Sequence, residues 1–446
     1  MTAFTAFSIG IIIVSGFVNL AAGNKHSLIL KLDGSVWTAG NNEQGQLGHD
    51  ASFASFQFVR VILSNSKTVA AGNSHSMVLK QDGSVWVTGC NKYGQLGDGS
   101  TADKSAFVPI VSAGAQAVAA GRDYSMILNQ DGSVWATGRN DYGQLGDGTT
   151  TLRNVFVQVV STGVKAVATG GCHSMILKHD GSVWSTGSNS FGQLGMVLLL
   201  DYRVVFSKVV ESGAEAVCTG ALHSLVMKQD GSVWATGRNL YGQLGDGSTT
   251  GKSKFILVVT SGTRAVAGGH SHSMILKQDG SVWATGSNIH GQLGDGSTDD
   301  RNTFVRVISS GATSMATGFA HSMVLTQDGA VWAAGWNLYS QFGDGSLTST
   351  SNFTRVGALS DGVAHNVDYA RILTKMWLPS ENFPITTKAF ATGITFTEIM
   401  FDCYHLNTVC LQCEYRCFSV LFSCDSSSDV QYCYVNFVYN LAPCIV

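Results

Sequence analysis

Asp131-Gly132-Ser133-Val134-Trp135 is the stretch that decides how this chain folds. Asp-Gly supplies the positive backbone angles that a two-residue hairpin turn requires. The pieces on either side, Ser125 to Asn129 and Ser133 to Thr137, are short and rich in β-branched and aromatic side chains, so they read as the two strands of a hairpin. Two further strand-like pieces, Ala117 to Ala120 and Phe156 to Val160, complete a unit of four. No window keeps a 3.6-residue period, which excludes a helical solenoid.

Outward from this unit, the pentapeptide recurs at Asp33, Asp82, Asp180, Asp230 and Asp279, and as Asp-Gly-Ala-Val-Trp at Asp328; successive spacings are 49, 49, 49, 50, 49 and 49 residues. A four-stranded unit cannot bury both faces alone, and stacking radially into a closed ring solves this. The expected fold is therefore all-β, a seven-bladed β-propeller of four-stranded blades. Small residues such as Ala-Val-Ala-Ala-Gly open each unit and suit the narrow axis, while Trp37, Trp86, Trp135, Trp184, Trp234, Trp283 and Trp332 are expected to fill gaps between blades. The repeats span residues 17–356, after an apolar segment over 1–16 and before a tail over 357–446 that is Cys-rich from 403. Strand-like pieces at Ile11 to Val14 and Phe353 to Val356 leave open which terminus completes the last blade.

Of the 446 residues 44% are apolar, 13% are charged, and 52 are Gly against 4 Pro, a mixture suited to many tight turns. The net charge of −3 and the lack of any Lys/Arg run argue against direct binding of nucleic acid or an acidic membrane. Cys90, Cys172 and Cys218 stand alone among the repeats and read as reduced thiols; the last 44 residues hold the other seven cysteines. The uncharged stretch Phe4 to Gly23 reads as a strand of the array, with a secretory or anchoring segment as the alternative. The chain is accordingly expected to be a cytoplasmic monomer, or secreted if residues 1–22 are a signal peptide.

Gly-x-x-His-Ser, then Asp-Gly-Ser-Val-Trp-x-x-Gly, then Asn-x-x-Gly-Gln-Leu-Gly-Asp-Gly resembles the regulator of chromosome condensation repeat family. Gly-Gln-Leu-Gly recurs at Gly45, Gly94, Gly143, Gly192, Gly242 and Gly291, with Ser340-Gln341-Phe342-Gly343 as the seventh version. The resemblance implies a seven-bladed propeller and leaves function open among exchange factors for Ran-type GTPases, substrate-binding parts of ubiquitin ligases, an ultraviolet-B photoreceptor and a β-lactamase inhibitor. The photoreceptor carries Trp after the Gly of Gly-x-x-His, where this chain has Asn24, Asn73, Arg122, Gly171, Ala221, His270 and Phe319. The exchange factor uses a protruding hairpin wedge and a basic N-terminal tail. Here the spacing leaves no room for a wedge, and no charged residue precedes Lys25. A ubiquitin ligase would need a catalytic domain with a reactive Cys.

The repeat also constrains chemistry. His26, His75, His173, His223, His272 and His321, with Tyr124 in the third unit, fall on different blades, too far apart for a zinc site; they read as structural hydrogen-bonding positions. The glycine-rich turns lack the Gly-Lys-Ser/Thr of a phosphate cradle, and the loop from Asp98 to Thr101 lacks the alternating carboxylates of a calcium loop. In the tail, Cys410-x-x-Cys413-x-x-x-Cys417 with His405 is only half of a zinc module, and the tail is expected to lack a fold of its own. No nucleophile, base and acid meet at a unique place, so neither an enzyme nor a cofactor is expected.

What differs between units is more informative. Before Gly-Gln-Leu-Gly stand Gln44, Tyr93, Tyr142, Phe191, Tyr241, His290 and Tyr339. After the Gly that ends the third strand stand Asn41, Cys90, Arg139, Ser188, Arg238, Ser287 and Trp336. Aromatics and Arg are the anchors of protein interfaces, so Tyr93, Tyr142, Phe191, Tyr241, His290, Tyr339, Arg139, Arg238 and Trp336 form a candidate partner-binding rim. The alternative is that the rings pack beneath the long loop. In the fourth unit Met196-Val197-Leu198-Leu199-Leu200 replaces a polar loop, either a contact or a degenerate repeat. The expected function is a non-enzymatic protein-binding scaffold, with a small GTPase as one candidate partner.

Overall fold

The computed structural model describes residues 19–50, 53–197 and 201–356 in full, together with the backbone of five strands beyond residue 386. Strands from Asn19 to Arg355 form seven antiparallel four-stranded sheets, each built from consecutive strands. In the third blade they are Ala115–Ala120, Tyr124–Asn129, Val134–Gly138 and Arg153–Val160, close to the pieces expected from sequence. The Asp-Gly turn has Gly132 at φ 76°, with Leu128 paired to Val134 across the hairpin. Asp131 accepts from the Ser133 amide, which holds the turn. There is no helix among the described residues.

Seven apolar clusters fill the seven interfaces between neighbouring blades. Trp37, Trp86, Trp184 and Trp283 belong to these layers, as the sequence suggested. The cluster at the seam joins Leu20, Ile29, Trp37 and Phe58 of the first blade to Met323, Leu325, Val331 and Phe342 of the seventh. The ring is thus closed by burial between two complete blades. Thr350–Arg355 supplies the seventh blade's fourth strand, whereas Ile11 to Val14 lies outside the described residues.

One interlock between blades is not legible in the sequence. A Phe on each fourth strand lies over the last Gly of Gly-Gln-Leu-Gly in the preceding blade: Phe107 over Gly48, Phe156 over Gly97, Phe206 over Gly146, Phe255 over Gly195, Phe304 over Gly245, Phe353 over Gly294 and, across the seam, Phe58 over Gly343. The chain divides into two compact units, Met1–Ser360 and Asp361–Val446. In the second, Cys410–Cys413, Arg416–Asp425 and Tyr432–Tyr439 form a three-stranded sheet, and Thr387–Ala389 pairs with Thr395–Thr397. His405 lies outside the described residues, as does most of the tail.

Candidate functional site

The His ladder is a closed hydrogen-bonded circle. His26 Nε2 meets Ser76 Oγ at 2.9 Å, and the same contact joins His75 to Ser125, His173 to Ser224, His223 to Ser273, His272 to Ser322 and, across the seam, His321 to Ser27. Tyr124 takes the seventh place, with its hydroxyl 2.9 Å from Ser174 Oγ and accepting from the Gly170 amide. Ser76 Oγ donates its single proton to the Gln46 carbonyl at 2.7 Å, and Ser125, Ser224, Ser273 and Ser322 do likewise to the matching Gln. The serine oxygen must therefore accept from Nε2–H, which assigns the neutral imidazole tautomer. Nδ1 of all six His is buried with no hydrogen-bond partner, so a proton added there meets no acceptor. Burial pushes His26, His173, His223, His272 and His321 down to about 3, and His75 to about 4. The circle is structural, as expected, and its members cannot serve as acids or bases near neutral pH.

The circle ties together one face of the ring. Each residue after the Gly ending a third strand donates its amide to the residue before the His: Arg139 to Asp123, Arg238 to Leu222 and Trp336 to Ala320. The turns that follow the first strands meet around the axis, where Asn24, Asn73, Arg122, His270 and Phe319 line the mouth of the central channel. Channel mouth and candidate rim therefore share a face.

The long loops are held in place by one Asn per blade. Asn140 Nδ2 donates to Asp147 Oδ1 at 3.0 Å and to the Thr149 and Thr151 carbonyls, while its Oδ1 accepts from the Leu145 amide. Burial alone would raise the Asp147 pKa, but hydrogen bonds from Thr149, Arg153 and Asn140 hold it below the usual carboxylate range. Asn140→Ala would strand buried partners and is expected to cost about 2–3 kcal/mol, read as a lower urea midpoint. The fourth blade lacks the Asp, and there Asn189 Nδ2 bonds the Met196 carbonyl. Val197 is exposed, whereas Leu198 to Leu200 lie outside the described residues.

With the loops fixed, the rim aromatics face outward. Tyr142 and Phe191 are 39% and 46% exposed, and Tyr93, Tyr241, His290 and Tyr339 are half-buried, so these rings are not wholly covered by the loop. The loops turn on the buried Gln of Gly-Gln-Leu-Gly instead: Gln144 Oε1 accepts from the Tyr142 amide, and this directs the ring to solvent. Cations and rings bridge neighbouring blades. The Arg139 guanidinium lies 5.0 Å from the Tyr93 ring, and Arg238 lies 5.3 Å from Phe191 and 5.6 Å from Tyr241. Trp336 stacks on His290 at 5.6 Å and meets Tyr339 edge-on at 5.2 Å, while Lys25 bonds the Tyr339 hydroxyl.

The face is also asymmetric at a position the repeat pattern does not mark. The residue preceding each rim aromatic is exposed on every blade, and it is Glu43, Lys92, Asp141 and Ser190 on the first four but Leu240, Ile289 and Leu338 on the last three. The order of residues shows this once the position is known to face solvent. The face thus has a charged sector and an apolar one. Among the described residues no His, Cys, Asp and Glu cluster could hold a metal.

Comparison with curated protein sequences finds no match. Solved structures show the fold. Yeast RCC1 (Prp20), crystallised bound to Kap60, superposes with a TM-score of 0.66 at 19% identity over 73% of this chain and 84% of its own. Prp20p from Saccharomyces cerevisiae, described with its binding to Gsp1p and histones, gives 0.64 at 20% identity over 78% and 87%. Human WBSCR16 gives 0.61 at 23% identity over 71% and 88%. The profiles of the regulator of chromosome condensation (RCC1) repeat match seven segments between residues 17 and 341 and five longer ones, 33–79, 82–128, 131–177, 230–276 and 279–325. On these repeats and the seven-bladed ring they build, the chain belongs to the regulator of chromosome condensation repeat family.

Proposed function

We propose that this propeller is a non-enzymatic scaffold that presents its channel-mouth face to a protein partner. One observation carries the reading: solvent-reaching aromatics and cations gather on this one face of otherwise similar blades, at Tyr93, Arg139, Tyr142, Phe191, Arg238, Tyr241 and Trp336. A ring that served only its own packing would not need exposed rings there. Replacing Tyr142, Tyr241 and Tyr339 together by Ala is expected to reduce partner capture at least about tenfold with the thermal midpoint little changed. Unaltered capture would refute the reading.

A second reading, nucleotide exchange on a Ran-like GTPase, draws support from the fold shared with Prp20p, whose binding to Gsp1p is recorded. It predicts faster release of a fluorescent GDP from such a GTPase when the chain is added at catalytic amounts. A release rate equal to the spontaneous one dismisses it.

A further inference from the structure

We infer that the apolar sector of this face, over blades five to seven, docks an extended segment of a partner protein in which acidic residues flank large apolar side chains. The inference rests on the protein-binding reading and specifies what is bound.

Two independent features of the sector point to that chemistry. The first is apolar surface. Leu240, Ile289 and Leu338 are 58%, 63% and 54% exposed, Phe319 is 38% exposed at the channel mouth, and a chain of rings links mouth to rim: His270 to Phe319 at 4.3 Å, Phe319 to Trp336 at 6.5 Å and Trp336 to His290. Aliphatic and aromatic side chains at repeated exposed positions form a surface that water leaves favourably when a partner's apolar groups cover it.

The second is charge. Arg238 stands at one end of the sector and Lys25 at the other, each lying over a rim ring, at 5.6 Å from Tyr241 and 4.1 Å from Tyr339. Among the described residues neither forms an ion pair with a carboxylate. The one acid at the positions equivalent to Lys25, Asp123, belongs to the other sector and is already shared by Arg122 and Arg139. A guanidinium near aromatic rings and without a carboxylate partner can still grip a partner's carboxylate with two N–H bonds. Burial, with Arg122 and Arg238 adding to it, pushes His270 down to about 4, so the ring beside Phe319 is neutral and presents an aromatic surface to the partner. Cations at both ends and apolar surface between them fit a segment with acids flanking Leu, Phe or Trp. A basic segment would meet Lys25 and Arg238 with like charge.

The test is selection of a phage-displayed random dodecapeptide library on the full chain. Retained peptides are expected to carry Asp or Glu beside Trp, Phe or Leu. Their binding should fall at least about tenfold in Lys25→Glu/Arg238→Glu and in Ile289→Ser/Leu338→Ser, and weaken with salt. The second pair replaces exposed side chains only, so its folding provides the control for the first. Peptides that need the Ile289 and Leu338 side chains but lack acids, or that tolerate the charge reversal, overturn the acidic assignment and leave the protein-binding reading standing. Peptides indifferent to both variants, or no enrichment, overturn the assignment of this sector, whereas the protein-binding reading falls only on unaltered partner capture by the Tyr142, Tyr241 and Tyr339 triple variant. Self-association in sedimentation that Ile289→Ser/Leu338→Ser abolishes would also overturn it, in favour of a second copy as the occupant.

Discussion

Acidification from about pH 7.5 to about pH 5 is expected to unfold the propeller cooperatively, because six imidazoles that the ring holds neutral take protons in the unfolded chain. In the folded ring each stays neutral down to about 3, or about 4 for His75, whereas in the unfolded chain it protonates near 6.5. Between those values the unfolded state binds more protons, so stability is full above about 6.5 and is lost as pH falls. The difference is about 2 kcal/mol per His at pH 5, and six such groups together rival the 5–15 kcal/mol that holds a typical domain folded. Protonation of one His also raises the cost for its neighbours, since His75 and His321 both act on His26 through charge. The Asp-Gly turns add to the effect at lower pH, where loss of their Ser hydrogen bonds follows protonation of Asp33, Asp82, Asp180 and their equivalents. Urea midpoints measured from pH 7.5 down to 5 check this. A midpoint constant over that range would show that the circle does not hold the imidazoles neutral. Replacing His173 by Tyr, as the third blade does at Tyr124, should lessen the acid slope by about one proton.

Gly97→Ala should be among the most destabilising single methyl additions in this chain, at about 2–5 kcal/mol. Two costs combine. Gly97 has φ 71°, where an L-residue is strained, and its new Cβ would stand 2.4 Å from the Phe156 ring of the next blade, closer than such atoms come. Gly163→Ala is the matched control, because Gly163 has φ 83° with nothing within 4 Å of the added carbon. It should lose only the backbone part, about 1–2 kcal/mol. The gap between the two midpoints measures the interlock of adjacent blades; equal losses would mean that the Phe ring moves aside freely.

Both predictions rest on contacts that the sequence suggests unequally. The hairpin at Asp131-Gly132 and the sevenfold repeat were legible because they are local chemistry: one dipeptide demands a turn, and its recurrence counts the blades. A structural role for His26 and its equivalents was legible from their distribution over blades, but the serine that each one meets, 50 or so residues on, was not. The candidate rim residues were picked out by their variation. Whether Tyr142 and Phe191 reach solvent depends on how Gln144 and Gln193 turn the loop, which no spacing states.

The sequence by itself determined the strands, their hairpins, the number of blades and the positions at which blades differ, since all of these follow from residues close in the chain. Only the tertiary structure decided that the turns at Arg122, His270 and Phe319 open on the same face as the aromatic rim, and that Leu240, Ile289 and Leu338 are exposed there beside Arg238. The physical reason lies in the ring. Equivalent residues of neighbouring blades are about 49 apart in the chain yet in contact across an interface, so their hydrogen bonds and ring contacts, and with them the choice of buried or exposed, come into being when blades stack and, at the seam, when the seventh meets the first.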